Sequence, residues 1–296
     1  MSIGGSMSLE RALEQLSRTP MPILAGGTDF YPALRDAPAP EQVLDVSRIE
    51  GLRGIQKTAS GYRLGAATTW SDVIAAPLPR VFKALKDAAR EVGSVQIQNA
   101  GTVAGNLCNA SPAADGVPPL LTLNASVELA SVRGTRLVAL QEFILGPRQT
   151  CRLADEIMIA VHIPEMGDTA CSEFVKLGAR RYLVISIVMA SLMLEADEQG
   201  QLQEVRVAVG ACSAVACRLR QLESVLQGQF MTAELLSLVT PPLVAELAPI
   251  DDVRGSAEYR MQVVVQLIRL LLARGMQSVK NAPRGTVGSR SPEGSS

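Results

Sequence analysis

The chain has 296 residues, 47% of them hydrophobic, which is enough for two globular domains with cores of their own. With 28 basic and 29 acidic residues the net charge is −1, and aromatics make up only 3%; neither a field that attracts nucleic acid nor a base-stacking platform is present. Five cysteines without Cys-x-x-Cys spacing (Cys108, Cys151, Cys171, Cys212, Cys217) and the single His162 argue against a disulfide framework and a His-based metal site, and for free thiols in a reducing compartment.

From the start, Leu9, Ala12, Leu13 and Leu16 recur at helical spacing, with Ser8 as cap and Pro20 as stop. Pro22–Ala25 reads as a short buried strand that runs into Gly26-Gly27, and Gln42–Val46 as a second. Tyr62–Ala67 is a further strand candidate, and Thr68–Asp72 holds several caps for the helix after it. Val81, Leu85, Ala88, Ala89 and Val92 share one helical face, closed by Gly93.

From Ser126 the pattern changes to strands: Val127 and Leu129 alternate with polar residues, Arg133-Gly134 turns, and Arg136–Leu140 returns. Ile157–Ile163, ended by Pro164, and Ser172–Leu177 are strands on either side of a domain boundary at Met166-Gly167-Asp168. Tyr182–Glu195 suits helix or strand by composition, and its β-branched residues favour strand; Glu204–Val209 alternates as a strand. Leu219–Leu226 and Ala257–Arg274 read as helices, the second capped by Ser256 and ended by Gly275, and the tail 282–296 as disorder. Met1–Leu9 has no secretory pattern, and the longest apolar stretch, Leu183–Leu194, falls short of the ~20 residues that span a bilayer. The expected location is the cytoplasm.

Two glycine-bearing segments stand out, 75 residues apart from Gly26 to Gly101. The first is Ala25-Gly26-Gly27-Thr28-Asp29; the second is Gly101-Thr102-Val103-Ala104-Gly105-Asn106, continued by Asn109-Ala110-Ser111-Pro112-Ala113-Ala114-Asp115. Glycines let a backbone approach an anion and point successive N–H groups at it, and Thr28, Thr102 and Asn106 add side-chain donors. Neither Gly-x-Gly-x-x-Gly nor a P-loop occurs, so a dinucleotide pyrophosphate held by two separate turns is the reading that uses both segments. Several residues stay open at this level. Asp115 suits a helix cap before Val117 or a bound ligand; Lys176, solvent or a bound ligand; Arg180 and Arg181, a ligand or a partner; Tyr182, a ligand's face or the core. Cys108 and His162 show no spacing that would make a nucleophile–base pair.

These segments resemble the FAD-binding medium subunit of the molybdenum hydroxylases, the xanthine dehydrogenase and carbon monoxide dehydrogenase family. The family's Ala-Gly-Gly-Thr-Asp matches Ala25–Asp29, and its Thr-Val/Ile-Gly-Gly-Asn with Asn-x-Ser-Pro-x-x-Asp matches Thr102–Asn106 and Asn109–Asp115. Phe143–Pro147, Asp155–Ile157, Phe174–Arg181 and Gly210–Ser213 resemble later landmarks, so the likeness runs from about Leu9 to about Gly275. Two departures are Ala104, where the family has Gly, and a short N-terminus without an aromatic-rich opening strand. Were φ positive at position 104, Ala would cost roughly 1 kcal/mol or more there.

The resemblance implies an α+β fold: a two-subdomain FAD-binding domain of the p-cresol methylhydroxylase type at 1–165 (about 1–55 and 56–165), then a C-terminal α+β domain of the CO dehydrogenase flavoprotein type at 168–278. It implies that Ala25, Gly26, Gly27, Thr28 and Asp29 with Thr102, Ala104, Gly105 and Asn106 wrap the FAD pyrophosphate. Asp115 would bond nucleotide or ribityl hydroxyls, Met158 would lie by the adenine or ring edge through its backbone, and Lys176 would lie by the flavin. The implied role is electron transfer through FAD to an external acceptor from a [2Fe–2S] subunit, itself fed by a large molybdenum-cofactor subunit, in a dimer of heterotrimers. Alternatives are a stand-alone flavin oxidoreductase of this fold and a scaffold subunit that has lost FAD.

Overall fold

The computed structural model describes residues 7–281, so the tail expected at 282–296 lies outside the described residues. Helix α1 (Leu9–Arg18) begins at Ser8, whose side chain accepts from Arg11 N, and buries Ala12, Leu13 and Leu16. Strand β1 (Ile23–Leu24) pairs in parallel with β2 (Leu44–Asp45), and the short α2 (Phe30–Leu34) lies between them. Next come β3 (Ile55–Thr58) and β4 (Gly61–Gly65), then helices α3 (Trp70–Ala75), α4 (Lys83–Glu91), α5 (Val95–Ala100), α6 (Val103–Asn109) and α7 (Val117–Thr122). Strands β5 (Ser126–Ser131) and β6 (Gly134–Ala139) follow, then α8 (Leu140–Phe143), a small hairpin of β7 (Ile144–Gly146) and β8 (Gln149–Thr150), and β9 (Ile157–Pro164).

β9 is last in sequence but central in space: the five-stranded antiparallel sheet runs β3-β4-β9-β5-β6. That position explains its composition. Met158, Val161 and Ile163 face the helices between β4 and β5, whereas Ile157 and Ile159 face α1 on the opposite side of the sheet. A strand covered on both faces carries a continuous apolar run rather than strict alternation.

The second unit is a four-stranded antiparallel sheet in sequence order, β10 (Cys171–Leu177), β11 (Val188–Ala196), β12 (Leu202–Gly210) and β13 (Cys217–Arg218). Helix α9 (Arg220–Leu226) and the long α10 (Ala257–Lys280) cover one face. On β11, Ala190, Leu192 and Leu194 pack toward α10, while Met189 and Met193 pack toward the first unit. The strand expected over Tyr182–Glu195 therefore begins only at Val188, because 178–187 forms a loop closed by Ile187 N donating to Leu177 O at 2.7 Å. Gly275 does not end α10 either. It is buried inside the helix, where a Cβ would lie 2.7 Å from Leu194 Cδ2, so glycine serves close helix–sheet packing here.

The two units are joined along α4 and the residues just before it. Ala84 and Ala88 pack against Phe174 and Met189. Ser172 Oγ accepts from Ala84 N at 2.9 Å and donates to Val81 O at 2.6 Å. Lys83 reaches the buried Glu173 at 2.7 Å, and Glu173 also accepts from Ser278 Oγ at 2.7 Å. Small residues on the helix bring the backbones close enough for these bonds.

Candidate cofactor site

The two segments singled out by their glycines touch. A Cβ on Gly26 would lie 1.9 Å from Ala100 O, so the first turn presses directly on the residue before Gly101. A Cβ on Gly101 would meet Thr28 Oγ1 at 3.4 Å. Gly27 has φ +72°, the left-handed region that favours glycine. The main chain leading into α3 anchors the second segment: Trp70 N donates to Gly101 O at 3.1 Å and Val103 N to Thr68 O at 3.0 Å. Among the described residues, the N–H groups of Gly26, Gly27, Thr28, Thr102 and Ala104 reach no protein acceptor. Unpaired main-chain donors at a seam between two loops are the chemistry an anion needs.

The second segment is a helix rather than an open loop. Thr102 caps α6 by accepting from Gly105 N at 2.9 Å, and Asn106 N returns to Thr102 O at 3.0 Å. Ala104 lies inside this right-handed helix and is buried, so the penalty for a positive φ at that position does not arise. Helical backbone suits Ala better than Gly. Asn106 Oδ1 is buried and has no hydrogen-bond partner, an orphan acceptor beside the same turn. A Cβ on Gly116 would meet Asn106 Oδ1 at 2.9 Å and the Trp70 ring at 2.4 Å, so Gly116 and Trp70 shape this corner. Asp29, by contrast, is exposed at the start of α2 and caps nothing with its side chain.

Asp115 and Lys176, 61 residues apart in sequence, form a buried ion pair at 2.6 Å. Ser186 Oγ donates to the other carboxylate oxygen at 2.6 Å, and Lys176 Nζ also donates to Glu91 O at 3.2 Å. The helix-cap reading of Asp115 thus fails, since Gly116 is the N-cap of α7, and so does the solvated reading of Lys176. Burial pushes the Asp115 carboxyl up, and the Lys176 ammonium and Ser186 hydroxyl work against that rise. Beside the run Ser111-Pro112-Ala113 opens a cleft of about 800 Å³, walled across by Arg180, Leu183, Ile185 and Arg254. Ala211 N donates to Pro112 O at 2.9 Å and ties the turn after β12 to the same run.

Other candidates fall elsewhere. The Met158 side chain is core, packed in the cluster that holds Trp70 and Leu107, and its backbone pairs with Leu129. Arg180 donates to Leu183 O at 2.5 Å, and Arg181 to the Tyr182 hydroxyl at 2.9 Å. Tyr182 is 63% exposed, which removes its core reading. His162 pairs with Glu128 at 2.8 Å on the sheet, and burial raises the Cys108 thiol to about 11; neither is poised as a nucleophile or its base. Sequence reasoning missed Trp70 and Ser186. The only tryptophan of the chain, opening the helix that Thr69 caps, was a usable signal; Ser186 carried none.

The residues present fit a bound dinucleotide: unpaired main-chain donors for a pyrophosphate, a buried acceptor beside them, and a charged pair near a cleft between two units. The fold and site define a dinucleotide-binding domain joined to a smaller sheet-and-helix domain. Residues 6–166 match the FAD binding domain in molybdopterin dehydrogenase, and residues 173–274 the CO dehydrogenase flavoprotein C-terminal domain. The chain is 33% identical over 264 residues to the nicotinate dehydrogenase FAD-subunit of Eubacterium barkeri, covering 88% of this chain and 89% of that one. It is 28% identical to the xanthine dehydrogenase FAD-binding subunit of Escherichia coli O157:H7, covering 90% and 92%. It superposes on a chain of the cyanide-inactivated Cu,Mo-CO dehydrogenase with a TM-score of 0.85 at 25% identity, covering 91% and 95%. The chain belongs to the family of FAD-binding medium subunits of molybdenum hydroxylases, which are oxidoreductases. Among the described residues no helix is long and apolar enough to cross a membrane.

Proposed function

We propose that this chain is the electron-transfer subunit of a molybdenum-containing hydroxylase, set between a small [2Fe–2S] subunit and an external acceptor, with a large molybdenum-cofactor subunit as the site of substrate hydroxylation. One observation carries the reading: Gly26 meets Ala100 at the seam where five main-chain N–H groups point at no protein acceptor. Bound FAD supplies a carrier that takes up and releases electrons. The chain's own residues do the holding. Ala25, Gly26, Gly27, Thr28 and Asp29, with Thr102, Ala104, Gly105 and Asn106, surround the pyrophosphate. Asp115 accepts from cofactor hydroxyls, and Lys176 places a cation beside the flavin. A cation there stabilises negative charge on the reduced ring and raises its potential.

The units divide at about 165–168, after Pro164 closes β9, and the first splits near 55, where the β1–β2 layer gives way to the five-stranded sheet. A complex built as a dimer of heterotrimers in the cytoplasm accords with the family and with the five free thiols. A stand-alone flavin oxidoreductase would need a free base at the cleft, whereas Asp115 is already committed to Lys176 and Ser186. The test is the visible spectrum of the purified chain, followed by addition of FAD and candidate substrates. The expected result is a flavin spectrum with no iron–sulfur absorption and no turnover without partners. A colourless chain indifferent to FAD overturns the cofactor reading; substrate oxidation by the isolated chain overturns the relay role.

A further inference from the structure

Arg260 is wholly buried, where a guanidinium is stable only if its donors are matched. Its Nη1 donates to Ile187 O at 2.7 Å and to Ala211 O at 2.9 Å, and its Nη2 to Asp252 Oδ1 at 2.6 Å. Asp252 is shared with Arg254, whose Nε and Nη2 reach Oδ2 at 3.0 and 2.5 Å. Arg254 Nη1 in turn donates to Ser186 O at 2.9 Å. Two arginines bridged by one carboxylate thus grip consecutive carbonyls, Ser186 and Ile187, where the 178–187 loop re-enters the sheet. That grip sets the direction of Ser186 Oγ, which donates to Asp115 at 2.6 Å. Arg254 holds the Asp252 carboxyl down at about 2, so the bridge keeps its charge near neutral pH.

We infer that Asp252, Arg254 and Arg260 form an ionic clip that positions Ser186 and, through it, the Asp115–Lys176 pair. Asp252 and Arg260 are positioning residues: they act on the pair only through Ser186. A neutral residue of similar size in place of Arg260 would fill the space but could not hold the Ile187 and Ala211 carbonyls together. The inference rests on the reading that Asp115 and Lys176 face bound FAD.

The experiment is a double-mutant cycle on the FAD-loaded chain with Ser186→Ala and Asp252→Asn, reading flavin midpoint potential and FAD dissociation constant. Each single variant shifts the potential in the same direction and weakens FAD by about fivefold to tenfold, the scale of one lost buried hydrogen bond. The double variant matches a single one, because both break the same link. Additive shifts overturn the clip, as does an Asp252→Asn protein with a lower Tm but unchanged potential and FAD affinity. If Asp252→Asn does not fold, Arg260→Lys, which keeps the charge, takes its place in the cycle. A wild-type chain that takes up no FAD sinks the cofactor reading alone; the clip is then decided by the same cycle in Tm, where coupling supports it and additivity overturns it.

Discussion

Gly26→Ala is the sharpest perturbation of the two-turn seam. The added Cβ would stand 1.9 Å from Ala100 O, 2.5 Å from Ala100 C and 3.0 Å from Gly101 Cα. All three are backbone atoms, so no side chain can swing aside. Relief from 1.9 Å to a tolerable contact requires the turns to part by about 1.5 Å. The second turn resists, since Gly101 N is held by Ile97 O at 2.6 Å and Gly101 O by Trp70 N at 3.1 Å. Forced separation of packed groups costs about 1–3 kcal/mol, which corresponds to about 5- to 150-fold in FAD affinity if it is felt at the cradle. The assay titrates FAD into apo-protein by flavin fluorescence and follows Tm in parallel. Gly51→Ala is the control: φ is +79° with nothing near the added atom, so it costs about 1 kcal/mol of stability and leaves FAD binding alone. Wild-type FAD affinity and Tm in Gly26→Ala, or equal loss of FAD in Gly51→Ala, would refute the reasoning.

Ala104→Gly lowers stability by about 1 kcal/mol without tightening FAD, because the position is helical; a chemical melt that shows a more stable variant contradicts this. Glu156 and Asp252 are held below the ordinary carboxylate range, Glu156 chiefly by Arg136 and Asp252, at about 2, chiefly by Arg254. A lowered native pKa stabilises above the unfolded value and is lost as pH falls through the native one, so stability holds from neutrality to about pH 4–5 and declines toward pH 2. Melts across that range check it, and Arg136→Met should flatten the part due to Glu156. Burial raises Cys108 and Cys171 to about 11 and Cys212 to about 12. These three thiols should resist iodoacetamide in the folded chain near neutral pH and react on unfolding, as counted by intact mass; prompt labelling of the native protein would show them accessible.

Local patterning made much of the fold legible. Helix α1 with its Ser8 cap, the Thr69–Asp72 capping box, and β9, β10 and β12 follow from spacing, caps and alternation, which act over a few residues. The failures share a cause. Gly275 reads as a helix stop because glycine usually ends helices, yet here the neighbouring sheet needs the space a side chain would fill. The 182–195 segment reads as one strand because its polar and apolar order cannot reveal that 178–187 is folded back by Arg254 and Arg260. Ala104 reads as strained only while its segment is taken for a loop.

By itself the sequence determined the two glycine segments, the absence of Rossmann and P-loop spacing, and the residue types that an anion cradle requires. Chemistry of that kind is written in short motifs. Only the tertiary structure decided that Gly26 lies on Ala100, that Asp115 spends its charge on Lys176 and Ser186, and that Asp252 and Arg260 stand behind them. Those pairings join residues tens of positions apart. They exist because burying each charge demands a partner, and folding, not sequence proximity, chooses which one is within reach.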